Sequence, residues 1–216
     1  MTLPIQKTAL VLGASGLIGD SLTHYLVEST FYSNVKVLVR KSLSWQHPRL
    51  QQIQFDFKNP NGLLIQANDI FCCLGTTIKK AGSKQAFRQV DYQYPIDIAR
   101  LGLANGAQQF AIVTAMGADP DSRIFYNKIK GEVERDLTVL NYPTFLIFRP
   151  SLLFGNRTEN RLGERLAAGA MRLFNPIIPA KYRGIEADKV ANAMLQTTQQ
   201  DLMGKHVFES DTLQDF

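Results

Sequence analysis

A chain of 216 residues, 45% hydrophobic and 20% charged, carries enough apolar material for one ordinary domain and needs no disulfide or metal staple. Its net charge of +5 comes from scattered cations, and the densest group, Lys79, Lys80, Lys84 and Arg88, has few aromatics beside it, so no nucleic-acid interface is indicated. No apolar run reaches the roughly 18 residues of a membrane span. Adjacent Cys72 and Cys73 cannot pair without strain, and His24, His47 and His206 stand apart from any ligand-spaced partner, so no metal site is expected. The opening Met1–Lys7 lacks a secretion signal, which makes the cytoplasm the default expectation.

Short apolar, β-rich runs alternate with helical patterns along the chain. The runs and spacings predict a strand over Thr8–Leu12, a helix over Leu17–Ser29, and strands over Val35–Val39, Ile53–Phe55 and Asp69–Leu74. A helix over Gln93–Asn105, closed by Gly106, precedes a strand at Phe110–Thr114 and a helix at Phe125–Leu140. Then follow a strand at Thr144–Phe148, helices at Leu162–Phe174 and Ala187–Gln199, and a strand at His206–Glu209. Most strands are apolar continuously rather than alternately, as expected where both faces of a parallel sheet are covered. The expected fold class is α/β, a Rossmann-type doubly wound parallel sheet with its ligand crevice beyond the strands' carboxyl ends. One domain over 1–216 is expected, with about 151–200 forming a small substrate lobe over that crevice.

Gly13-Ala14-Ser15-Gly16-Leu17-Ile18-Gly19 follows the first strand and opens a helix. The first glycine permits a tight turn, the second lets backbone approach a pyrophosphate, and the third lets helix pack closely on strand. Free N–H groups and the positive end of the helix dipole then face the phosphates. Gly13, Ser15, Gly16, Leu17, Ile18 and Gly19 are therefore candidate cofactor contacts. The second strand ends in Val39-Arg40-Lys41 with no acid to accept the ribose 2′-hydroxyl. Arg40 suits a 2′-phosphate, which points to NADP(H) over NAD.

Tyr126 and Lys130 stand four apart at the start of a helix, on one face with about 6 Å between their side-chain roots. A neighbouring ammonium favours the phenolate and brings a tyrosine toward useful acid–base range, while the lysine can also bond the nicotinamide ribose. Lys128, two residues from Tyr126, points elsewhere.

The GxxGxxG spacing is that of short-chain dehydrogenases, and the sequence resembles that superfamily over nearly its whole length. The resemblance implies that Asp56 and Phe57 border the adenine, that Leu74, Gly75 and Thr76 line the middle of the cofactor, and that Pro150 to Leu152 close on the nicotinamide. It also implies a hydroxyl residue at the end of the fifth strand to hold the substrate oxygen. The expected second place of the hydroxyl pair is Ala115, leaving Thr114 as the candidate, although one residue along a strand faces the opposite side.

FCCLGTT at Phe71–Thr77, Lys80-Ala81-Gly82, Val90-Asp91, YNKIKGEVE from Tyr126 to Glu134, FRPSLLF from Phe148 to Phe154 and Arg161-Leu162-Gly163-Glu164 resemble the Tat-interacting oxidoreductase family, over roughly residues 8–200. That resemblance implies NADPH binding on a short-chain-dehydrogenase fold, with eukaryotic members linked to regulation of transcription and trafficking. The expected activity is NADP(H)-dependent oxidoreduction of a small carbonyl or alcohol substrate, with Tyr126, Lys130 and Thr114 as catalytic residues. A dinucleotide-sensing regulator with a protein partner and a sugar-nucleotide epimerase-like enzyme stand as alternatives, and the state is monomer or homodimer. Arg157, Arg161 and Arg165 are read either as contacts for an anionic substrate or as partners of Glu159 and Glu164, and Asp188 as a helix cap.

Overall fold

A computed structural model describes residues 7–154, 179 and 182–216. Its strands are β1 (Lys7–Leu12), β2 (Tyr32–Val39), β3 (Leu50–Gln54), β4 (Asp69–Cys72), β5 (Gln109–Val113), β6 (Thr144–Arg149), β7 (Leu153–Phe154), β8 (Ile185–Glu186) and β9 (Gly204–Glu209). The helices are α1 (Leu17–Glu28), α2 (Ile78–Ala81), α3 (Lys84–Arg88), α4 (Tyr94–Ala104), α5 (Phe125–Thr138), α6 (Ala187–Thr198) and α7 (Ser210–Leu213), and a π-helical turn, Gln89–Gln93, leads into α4.

Seven strands form one parallel sheet in the order β3-β2-β1-β4-β5-β6-β9. Alternation along β1 explains the continuous apolar pattern. Ala9 and Val11 face α1 and α6 with Leu22, Leu26, Val190 and Met194, whereas Leu10 and Leu12 face the opposite layer with Ile96, Ile98, Val133 and Leu137. The chain runs outward through β2 and β3, then crosses back to β4 on the other side of β1. The reversal between β1 and β4 is the topological switch point, and the crevice opens at the carboxyl ends of these two strands.

The doubly wound parallel sheet is as the sequence predicts, and the differences lie at element ends. β2 starts at Tyr32 rather than Val35, because the buried Tyr32 ring anchors the strand and its hydroxyl donates to Asp69 at 2.8 Å. Lys7 reaches the same carboxylate at 3.1 Å, so three strands are pinned at their amino ends. β4 stops at Cys72 and β5 at Val113, each before the last residue expected of it. Cys72 and Cys73 are free thiols. Gly106 ends α4 in the left-handed region at φ +88°.

Of the stretch 151–200 expected to cap the crevice, α6 instead packs against α1, and β7 pairs parallel with β8. The helix expected at Leu162–Phe174, with Arg157, Glu159, Arg161, Glu164 and Arg165, lies outside the described residues. The side chain of Asp188 accepts from the Tyr25 hydroxyl at 2.6 Å, tying α6 to α1, and Glu186 rather than Asp188 stands at the helix start. Among the described residues no helix is long and apolar enough to cross a membrane.

Candidate functional site

The turn after β1 needs its glycines for separate reasons. Gly13 sits at φ +82°, and a Cβ there would stand 2.6 Å from the Cys73 carbonyl oxygen. The Gly16 N–H donates to the Gly13 carbonyl at 2.9 Å and closes the turn. A Cβ on Gly19 would lie 2.2 Å from that same Gly13 oxygen, so α1 can begin this close to β1 only with glycine there. Gly16 has only the Gly13 oxygen near it, at 3.2 Å from a built Cβ, and its outer side is bare. No side chain caps α1, whose start is marked by Gly16, and Ser15 and Gly16 are exposed. Ile18 is buried against the sheet with its side chain in the core.

Arg40 is exposed at the end of β2, beside exposed Lys41. Asp56 is exposed after β3 and accepts from Asn59 Nδ2 and the Lys58 N–H, both at 2.9 Å. These two bonds, the Asn59 side chain foremost, hold its carboxyl below the ordinary range. Phe57 is 8% exposed, its ring packed on Phe55 and Tyr94 at 5.0 and 5.4 Å. Its ring therefore belongs to the core cluster with Phe55.

The chain after β4 brings in Asp91, which the sequence offered only through the Val90-Asp91 match and without a role. The Thr76 N–H donates to Asp91 Oδ2 at 3.0 Å, and Lys130 Nζ lies 2.8 Å from Asp91 Oδ1, with the lysine and aspartate side chains 5% and 0% exposed. A Cβ on Gly75 would stand 3.7 Å from Asp91 Oδ1 and 4.0 Å from Lys130 Nζ, so this exposed glycine lies directly beside the pair. Burial opposes the Lys130 charge, but the Asp91 carboxylate, with Tyr126 adding a smaller pull, holds the ammonium above the ordinary lysine range. Tyr126 lies on the same face of α5, its ring centre 5.9 Å from Lys130 Nζ and its ring packed on Phe87 at 5.6 Å. Its hydroxyl has no hydrogen-bond partner among the described residues. Lys128 is exposed and stands off from this face.

Thr114 does not join them. It is buried, and its hydroxyl donates to Glu134 at 2.5 Å. Glu134 also pairs with Arg149, whose other arm reaches Glu209 at 2.8 Å. Glu134 is two helical turns beyond Tyr126, about 12 Å along the axis of α5. Strand parity is the physical reason: Thr114 continues the side of Phe110 and Ile112, which faces the α4 and α5 layer, and a buried carboxylate there takes its proton donor. Ala115 is half-buried. Pro150 is buried, with its carbonyl accepting from the Met116 N–H at 2.9 Å, and Leu152 is half exposed.

Gly131, within the YNKIKGEVE stretch, sets how α5 is seated. A Cβ there would lie 2.1 Å from Pro120 N and 2.2 Å from the Asp119 carbonyl carbon, both backbone. Gly131→Ala is therefore expected to destabilise by about 3 kcal/mol, lowering Tm by roughly 6–12 °C in thermal unfolding, since backbone cannot yield as a side-chain tip does.

No family model matches the chain. It is similar to Protein HTATIP2 of Rattus norvegicus, 34% identical over 168 residues that cover 75% of this chain and 69% of that one. Protein FMP52, mitochondrial, of Eremothecium gossypii is 33% identical over 157 residues, covering 72% and 70%. Among solved structures, MoeE5 in complex with UDP-glucuronic acid and NAD superposes with a TM-score of 0.74 at 15% identity, over 94% of this chain and 76% of that one. UDP-N-acetylglucosamine 4-epimerase from Methanobrevibacter ruminantium M1 gives 0.72 at 14%, over 94% and 76%. These two show a common fold. The mitochondrial designation of the FMP52 relatives overturns the cytoplasmic expectation. That expectation rested on the lack of a secretion signal, which is only one of the addresses a chain can carry.

Proposed function

Because the chain belongs to the family of Protein HTATIP2 and the FMP52 proteins, we propose that it is an NADP(H)-dependent oxidoreductase acting on a carbonyl or alcohol. The observation that carries this reading is a convergence at one switch point. A glycine turn with an uncapped helix start stands at the end of β1, and a tyrosine beside a buried, ion-paired lysine stands beyond β4 and β5.

The residues fit a dinucleotide. Where side chains would block the turn there is only backbone, and the bare outer side of Gly16 leaves room for a pyrophosphate against the first N–H groups of α1. Arg40 would take the 2′-phosphate through its planar fork. Leu74 to Thr76 and Pro150 to Leu152 would flank the remainder. The bound cofactor supplies the hydride chemistry. The protein would align the reactants and manage the proton: Lys130 would donate to the nicotinamide ribose and place its charge beside the Tyr126 ring, and Tyr126 Oη would exchange a proton with the substrate oxygen. Thr114, committed to Glu134, leaves Tyr126 as the hydroxyl for that oxygen.

That same commitment, with Ala115 beside it, favours a second reading, a regulator that binds the dinucleotide without turning it over. Calorimetry with NADPH and NADH, followed by NADPH oxidation against a panel of aldehydes and ketones, separates the two. Uptake without any turnover supports the regulator, and absence of uptake removes both. In the same assay Arg40→Ala is expected to weaken NADPH about 10–100-fold, the worth of a lost charge-assisted bond, while NADH changes less than about threefold. Equal weakening of both coenzymes would show that Arg40 does not read the 2′ position.

A further inference from the structure

The Asp91–Lys130 pair is difficult to explain as a device for stability. Taking two charges out of water costs several kcal/mol per ion, and apolar side chains of similar volume commonly serve a core as well or better. Yet Asp91 is 1% exposed and sits mid-way along the π-helical turn Gln89–Gln93, a rare backbone form found frequently at functional sites. Its two oxygens point to different parts of the proposed site: Oδ1 to the Lys130 ammonium, Oδ2 to the Thr76 N–H.

We propose that Asp91 is a positioning residue, which fixes the Lys130 ammonium beside Tyr126 and ties it to the backbone of the loop that flanks the cofactor. The proposal rests on the oxidoreductase reading for its consequence but on geometry for its substance. Gly75 stands against the pair, since a Cβ there would lie in van der Waals contact with Asp91 Oδ1 and Lys130 Nζ. The charged or titratable groups that face Lys130 are Asp91 from the π-helical turn, Tyr126 from its own helix, and the Cys72 thiol from β4. Burial pushes that thiol up to about 12, so it stays neutral and cannot replace the carboxylate. With Asp91 present, Lys130 remains a cation across the physiological range. With asparagine in its place, burial is opposed only by the smaller pull of Tyr126, and the lysine loses its proton at lower pH.

The test follows the Lys130 side chain in the cofactor-free protein by NMR, titrating its Cε and Nζ signals in the wild type, Asp91→Asn and Asp91→Glu. The wild type and Asp91→Glu are expected to stay protonated through pH 10, while Asp91→Asn titrates at least one pH unit lower. NADPH affinity of Asp91→Asn should correspondingly fall at least threefold between pH 7 and 10.5, against less than twofold for the wild type. Asp91→Glu, with its charge on a longer arm, should keep the NMR behaviour but lower kcat about tenfold at unchanged KM. A Lys130 titration in Asp91→Asn that coincides with the wild type overturns the proposal, as does full kcat in Asp91→Glu if Asp91→Asn does not fold. Failure of the wild type to take up either coenzyme counts against the oxidoreductase reading, and the cofactor-free titration still decides for or against Asp91.

Discussion

Gly19→Ala is expected to abolish uptake of either nicotinamide dinucleotide, weakening binding by at least 100-fold, or about 2.7 kcal/mol. The added Cβ would lie 2.2 Å from the Gly13 oxygen, 2.7 Å from the Gly13 carbonyl carbon and 3.1 Å from Ala14 Cα. None of these atoms can rotate away, so either α1 retreats from β1 or the turn is displaced, and the N–H groups lose the phosphates in both cases. Moving Gly13 does not relieve it, because that residue is itself wedged against Cys73 and Leu74. Thermal unfolding of the same variant should show a smaller loss, since α1 keeps Leu22 and Leu26 in the core. Calorimetry showing NADPH affinity within tenfold of wild type would refute the cradle.

Tyr126→Phe is expected to lower kcat by about 100- to 10,000-fold, the usual range for a positioned acid–base group, with NADPH affinity changed less than about threefold. Removing one oxygen leaves the ring on Phe87 and the Asp91–Lys130 pair intact, so Tm should stay within about 2 °C. The variant tests chemistry apart from fold. A variant retaining more than half of wild-type kcat would move the proton transfer to another group and strengthen the regulator reading.

What was legible in the sequence was local. The glycine turn and the Tyr126–Lys130 spacing each lie within one or two elements, where a period of 3.6 residues or a strand–turn–helix order settles which atoms face which. The role of Asp91 was hidden because its partner comes from another helix and because a π-helical turn breaks the periodicity from which a face would be read. The Thr114 hydroxyl was ambiguous by a single residue of register, a matter decided by Glu134 on α5 and Arg149 on β6. The short helices α2 and α3 were missed although their starts were written in the chain. Thr77 accepts from the Lys80 N–H and Ser83 from the Ala86 N–H, and at four and five residues neither helix shows a readable apolar stripe.

The short parallel pairing of Leu153–Phe154 with Ile185–Glu186 means that the polypeptide leaves the rim of the sheet and returns to it at one spot. Ile185 in that clasp is buried in the same apolar layer as Ala187 and Val190 of α6, so opening the clasp would loosen the edge of that layer while leaving the seven-stranded order in register.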